Sequence, residues 1–440
     1  MPAAYVHIEE KFCTGCSKCV RACPTKALRI RGQRAQLFDY LCIGCGECMR
    51  VCPEGAITST VSHQVSAPAD KVSVAIVSPI LYAQFPGVMP CDVLVALKRI
   101  GFDQAIDLSY YLEMYQYATE QFINHNRMHN EVPWPVISPI CPVVERLIGL
   151  KYPDLMEHIM PLRRPVALVG EQVRKGVSQE YGVAEHDVVL YHLTPCPSKL
   201  ASGQQSAAAP ANDLTCIDLA LGINDIYPDL LEAVEAVKDQ ELNLYPHQHL
   251  NFIPNARGPM WGMSGGEIAG MNIERVLAVS GLQETIKYIE KIEMGLFTDM
   301  EYIEFRACLE GCLGGPLTAV DKYVARSTVQ KLIKMFGLGR RIQRDKLRRL
   351  YDRGWFFAEI RPAEKREQYR KKGPALTIEE LQRIEHIWAR TPGHDCGACG
   401  APDCRTFAED VVRGDANLTD CYQFALDQYR HGSRNSTQKS

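Results

Sequence analysis

Two runs, CTGCSKCVRACP beginning at Cys13 and CIGCGECMRVCP beginning at Cys42, repeat one spacing, C-x2-C-x2-C-x3-C-P, at an offset of 29 residues. Eight thiols fall within the first 52 residues. Eighteen cysteines occur in the 440-residue chain, and MPAAYVHIEEKF lacks the basic-then-apolar order of an export signal, so a cytoplasmic location is expected. Cytoplasmic thiols stay reduced, which makes clustered cysteines metal ligands rather than disulfides. The apolar run VSVAIVSPILYA is interrupted by Pro79 and too short to cross a bilayer. A net charge of -3 gives no basic field for nucleic acid.

The duplicated spacing resembles that of bacterial two-cluster ferredoxins, in which the fourth cysteine of each run ligates the other cluster. On that resemblance Cys13, Cys16, Cys19 and Cys52 hold one four-iron cube and Cys42, Cys45, Cys48 and Cys23 hold a second. Zinc is the competing ligand reading. Two cubes this close serve as a wire, not a catalyst. Near the other end Cys396, Cys399, Cys404 and Cys421 follow at x2, x4 and x16, with FAEDVVRG reading as a helix between the last two. This unit resembles the small four-iron domain of several anaerobic iron-sulfur proteins, and structural zinc remains its rival because four thiolates suit either metal.

The central cysteines share a context. Cys141 follows PVIS, Cys196 follows VVLYHL, and Cys308 follows YIEF with Cys312 four residues on. In an open α/β sheet the loops leaving the carboxyl ends of strands meet in one crevice, so these four thiols can belong to one site. The helix starts after such loops supply amides that stabilise anionic sulfur.

PVISPICPVVERLIG, VVLYHLTPCPSKL and YIEFRACLEGCLGGP resemble the signature loops of the [FeFe]-hydrogenase large subunit, and the resemblance covers about residues 70–320. It implies an α/β body in which Cys141, Cys196, Cys308 and Cys312 hold a four-iron cube. It also implies that Cys312 bridges to a diiron subsite carrying carbon monoxide and cyanide, with Lys199 contacting a cyanide. Pro79 in VSPI and Trp261 in PMWGMSGGE fall on further cofactor-lining positions. The departures are specific. Ile140 stands where active members place a proton-carrying cysteine, within Ser138-Pro139-Ile140. Ser202 replaces an acid, Arg306 a methionine, and Leu309-Glu310 a Pro-Gly pair. Isoleucine cannot transfer a proton, so the usual relay is cut; Arg306 and Glu310 either form a new polar surround or pair with each other.

The expected organisation is a two-cluster α+β ferredoxin-like domain at 1–62, the hydrogenase-like α/β body at 70–320, a basic helical connector at 321–374, a small helical four-cysteine domain at 375–430 and a disordered tail at 431–440. Four 4Fe-4S clusters are expected, with the diiron pair completing a six-iron H-cluster as an open addition. The expected function is a low-activity hydrogen or redox sensor or an electron-transfer subunit, the alternative being an active hydrogenase with a non-cysteine proton route. KLIKMFGLGRRIQRDKLRRL reads as a solvated connector or a dock for an acidic electron-transfer partner such as a ferredoxin or redox subunit, and the absence of an output domain points to a signalling partner. Cys91 and Cys216 read as buried small hydrophobes, and His247 and His249 share a strand face without a third ligand.

Overall fold

The computed structural model describes residues 5–59, 70–204, 216–238, 256–339, 342–370 and 376–426. The chain divides into two compact units, one of Val6–Ser59 with Arg370–Ser440, the other of Met1–Tyr5 with Thr60–Tyr369. The two ends expected to form separate domains thus share one unit. His247, His249, the Ser202 side chain and the tail lie outside the described residues.

In the unit of the chain ends, β1 (Val6–Ile8) pairs antiparallel with β4 (Ile57–Ser59), which joins the two ends of the repeat. Between them β2 (Leu28–Arg31) and β3 (Arg34–Leu37) form a hairpin. Its two-residue turn places Gly32 at φ +53° and Gln33 at φ +63°, the left-handed pair that suits the right-handed twist of the strands. Each cysteine run then makes one short helix, Lys18–Ala22 or Glu47–Val51, entered through a left-handed residue, Ser17 or Gly46. The carboxyl-terminal part adds helix Ile378–Ala389, started by a capping box of Thr377 and Glu380, and helix Cys404–Arg413, capped by Asp403. Phe407, Phe424 and Ala401 pack with Cys421 as its small core.

Among the described residues the other unit is built on seven strands: β5 (Val72–Val77), β6 (Gln104–Asp107), β7 (Val136–Ile137), β8 (Val188–Thr194), β9 (Leu219–Gly222), β10 (Val276–Ser280) and β11 (Tyr302–Arg306). They form two parallel sheets, ordered β6-β5-β8-β9 and β10-β11-β7. All six residues of β5 are buried, as the uninterrupted apolar VSVAIV requires of a strand covered on both faces. The basic stretch is not a free connector. Helices Lys322–Phe336 and Arg344–Asp352 bury Val329, Leu332 and Leu347 in the cores of the body, and Tyr369 presses so closely on Gly149 that a Cβ there would lie 2.4 Å from its ring.

Glu301, just before β11, ties the second sheet to helix Ser109–His129. It accepts from Arg127 Nε (2.6 Å), Arg127 Nη2 (2.8 Å) and Arg275 Nη2 (2.9 Å). The hydrogen bonds from Arg127 are the main reason its pKa falls from 4.5 to about 2. A carboxylate depressed in the folded state stabilises above its unfolded pKa, and that stabilisation disappears as pH falls from 4.5 towards 2. Arg127→Ala is expected to lower stability at neutral pH and flatten its fall on the acid side; urea midpoints across that window check this, and an unchanged slope would contradict it.

Candidate functional site

In the unit of the chain ends the repeat thiols lie close enough to act on one another. Burial pushes Cys42 up to about 12 and raises Cys45 and Cys48 further, and Cys23 adds to the shift in all three. Cys19 is pushed up to about 11, by burial first and then by Cys13 and Cys16. Cys23 thus lies near enough to Cys42, Cys45 and Cys48 to act on each of them. Backbone amides already point at sulfur: Ala27 to Cys23 Sγ at 3.1 Å, Ala35 to Cys13 Sγ at 3.3 Å and Ala56 to Cys52 Sγ at 3.3 Å. At the other end Cys396, Cys399, Cys404 and Cys421 line one small pocket with Phe407 and Tyr422. Among the described residues no group of three or more His, Cys, Asp or Glu side chains is placed to hold a single metal ion.

In the body the central cysteines leave the carboxyl ends of three strands. Cys141 follows β7 and caps helix Pro142–Lys151; Cys196 follows β8 before helix Pro197–Gln204; Cys308 and Cys312 follow β11. Proline opens the first two helices, where its missing N–H costs nothing. Backbone contacts lock the loops together. Leu317 N–H donates to Pro195 O (3.1 Å), Cys312 N–H to Gly262 O (2.7 Å), and Gln84 Oε1 accepts from Ala319 and Val320 (both 3.0 Å). Gly311 and Gly315 are required there, since a Cβ would lie 2.5 Å from Gly262 O or 2.4 Å from Pro195 O. Burial pushes the Cys196 thiol up to about 11, against the pull of Lys199 and with the push of Cys141 and Cys312.

Cations surround these thiols. Half-buried Lys199 and Arg146 act on Cys196, and Arg306 acts on Cys141 and Cys312. Among the described residues Nη1 of Arg146 and Nη1 of Arg306 have no hydrogen-bond partner. Buried donors without acceptors are costly, so an anionic group among the thiols fits this site. Pro79 is buried at the start of a 3-10 turn after β5, and Trp261 is buried with its ring edge-on to Tyr115 at 5.9 Å. Ile140 is 5% exposed and shares an apolar cluster with Trp261 and Tyr302.

Arg306 and Glu310 do not pair. Glu310 takes a left-handed backbone at φ +62° and binds Arg326 (3.1 Å). Arg306 instead donates through Nη2 to Glu267 (2.7 Å) and lies 3.3 Å from Glu304. Glu267 is fully buried and also accepts from Ser138 Oγ (2.8 and 2.9 Å) and from the Tyr302 hydroxyl. Burial works against the Arg306 charge, but Glu304, Glu267 and the two thiols outweigh it and push its pKa up. Burial pushes Glu304 up to about 7, Arg306 opposing and Glu267 adding. Sequence reasoning gave Glu267 no role; its signal was an acid directly after Gly265-Gly266 in an otherwise apolar stretch. Cys91, near Asp92 at 3.6 Å, and Cys216, donating to Ala167 O at 3.4 Å, are half-buried and packed against the cores.

Thiol sets at sheet ends, ringed by cations and glycine turns, define the class: an α/β iron-sulfur protein. The chain belongs to the family described as iron only hydrogenase large subunit, C-terminal domain, which matches residues 70–266 and 230–316. A 4Fe-4S dicluster domain matches residues 12–56 and an Fe-S cluster family residues 392–422. Iron hydrogenase 1 of Clostridium pasteurianum is 21% identical over 266 residues, 51% of this chain and 44% of its own. NADP-reducing hydrogenase subunit HndD of Solidesulfovibrio fructosivorans is 23% identical over 211 residues, 45% of this chain and 32% of its own. The chain thus matches less than half the length of either relative. The fold is that of a variant of the [FeFe]-hydrogenase HydA1 from Chlamydomonas reinhardtii, at a TM-score of 0.50 and 17% identity over 66% of this chain and 92% of that one. No helix among the described residues is long and apolar enough to cross a membrane.

Proposed function

We propose that this protein is a hydrogenase-like redox protein of weak turnover, acting as a hydrogen or redox sensor that exchanges single electrons with a protein partner. Cys141, Cys196, Cys308 and Cys312 would hold the central cube, with Cys312 shared with the diiron pair. Lys199, Arg146 and Arg306 would neutralise the charge of the assembly, and Pro79 and Trp261 would wall it. When bound, the cofactor supplies the centre where protons and electrons combine to dihydrogen. The carrying observation is Ile140, buried among apolar side chains one residue before Cys141, where the resemblance places a proton carrier. The other sets, Cys13, Cys16, Cys19 and Cys52, Cys42, Cys45, Cys48 and Cys23, and Cys396, Cys399, Cys404 and Cys421, would hold three further cubes as electron carriers.

A second reading, an active hydrogenase with another proton route, draws on Ser138, whose hydroxyl bonds buried Glu267 and accepts the Ile140 amide at 3.3 Å. A hydroxyl and a carboxylate in contact can move a proton where isoleucine cannot.

Anaerobically purified protein is expected to contain about sixteen iron atoms with cubes alone, or about eighteen with the diiron pair. Replacing Cys141 or Cys196 with Ala should remove about four to six of them and leave the ferredoxin-type signals intact. Markedly lower iron with stoichiometric zinc would contradict the assignment, and loss of every signal together would mean that the central loops are needed for folding rather than ligation.

A further inference from the structure

The two ends of the chain meet through a built junction. Arg29 donates to Asp410 through Nε (2.5 Å) and Nη2 (3.0 Å), and both side chains are buried. Arg31 adds Nη2 to Asp410 (2.6 Å), and Lys26 pairs with Asp403 (2.5 Å). The carbonyls of the carboxyl-terminal cysteine loop are themselves held from the head. Arg21 Nη2 donates to Cys396 O (3.3 Å), Arg31 Nη1 to Cys399 O (3.1 Å), and the Ile30 amide to Gly400 O (2.8 Å). Arg21 sits midway between Cys19 and Cys23, one from each thiol set of the head.

Two glycines show how tightly the layers are pressed. Gly15, between Cys13 and Cys16, has φ +67°, and a Cβ there would lie 2.6 Å from Gln33 O. Gly400, beside Cys399, has φ +78°, and a Cβ there would lie 2.1 Å from Ile30 O. Both cysteine loops therefore rest on the one hairpin of β2 and β3. Bonded atoms and close packing also give the two cysteine sites a short hydrogen-bonded path, and such a path raises electronic coupling between two sites.

We infer that this junction makes the carboxyl-terminal cysteine site the third redox station of the amino-terminal head, exchanging electrons with it directly. A low-potential one-electron donor protein would reduce the carboxyl-terminal site, near its exposed residue Cys396, and that electron would pass to the head: one centre loses an electron, the next gains it, and no bond or proton changes. The inference rests on the reading of Cys396, Cys399, Cys404 and Cys421 as a cluster site.

The test is electron paramagnetic resonance of the whole protein reduced with dithionite. The unmodified protein should show mutual broadening and fast spin relaxation linking the carboxyl-terminal and head signals. Cys421→Ala should delete the former and sharpen the latter. Gly400→Ala, which wedges the loop off the hairpin, and Arg31→Gln, which removes its carbonyl and carboxylate bonds, should each weaken the coupling at unchanged iron content. Should Gly400→Ala lose iron, Arg31→Gln decides alone. All signals present but uncoupled, or coupling untouched by Arg31→Gln, would overturn the junction while leaving the cluster reading standing. Zinc in place of iron at the carboxyl-terminal site would overturn both.

Discussion

Ile140→Cys, in protein matured with the hydrogenase assembly factors, is expected to raise hydrogen evolution by roughly a hundred- to ten-thousand-fold, the usual worth of a positioned acid–base group. The position is prepared for it. Ile140 is buried, its amide donates to Ser138 Oγ, and that hydroxyl bonds Glu267, so a thiol at 140 would stand two residues from a buried hydroxyl–carboxylate pair. Its own cost is modest, because trimming a buried isoleucine to a smaller side chain loses about 1–2 kcal/mol. Hydrogen production from a strong one-electron reductant, measured beside iron content and urea midpoint, checks the claim. No gain in a fully loaded variant would move the limit to Arg306 or Glu267, and high turnover in the unmodified protein would contradict the sensor reading.

Arg306→Met is expected to be the most damaging single change in the body. Restoring methionine, the residue the family resemblance places there, removes the one cation between two buried carboxylates, Glu267 and Glu304. Breaking a buried pair by deleting one partner leaves an uncompensated charge and typically costs about 3–5 kcal/mol, whereas replacing a whole buried ion cluster with well-packed hydrophobic residues of similar volume is often nearly neutral. Arg306→Met combined with Glu267→Gln and Glu304→Gln removes the uncompensated charge and should recover part of the loss, the amides of Gly265, Glu267 and Ile268 still needing the acceptors that Glu304 supplies. Denaturant midpoints of the single and triple variants measure both, and equal destabilisation in the two would show that Arg306 acts through packing rather than charge.

The thiol sets were legible because metal ligation fixes spacing within a few residues: C-x2-C-x2-C-x3-C-P names its ligands with no help from the fold. The central site was legible first as thiols at strand ends and then through the resemblance, since Cys141, Cys196 and Cys308 are separated by whole strand–helix units; Cys141 and Cys308 leave neighbouring strands of one parallel sheet and Cys196 leaves a strand of the other. The rest was hidden for a plainer reason. Arg29 and Asp410 are 381 residues apart, and neither end carries a pattern that specifies the other. Arg306 and Glu310 invite pairing by proximity in sequence, but the left-handed turn at Glu310 sends its carboxylate to Arg326 and leaves Arg306 to acids on another loop and its own strand. The basic stretch read as solvated because its charges dominate its composition, yet every third or fourth residue is apolar and that face is buried.

Infrared spectroscopy of the matured protein under argon and then hydrogen tests the central claim most directly, because only a diiron pair held at Cys312 carries carbon monoxide and cyanide. The account predicts sharp carbonyl and cyanide bands that shift reversibly with hydrogen while turnover stays weak. A full complement of cube iron with no such bands would contradict it and leave an electron-transfer protein whose hydrogenase-like body holds only its cube.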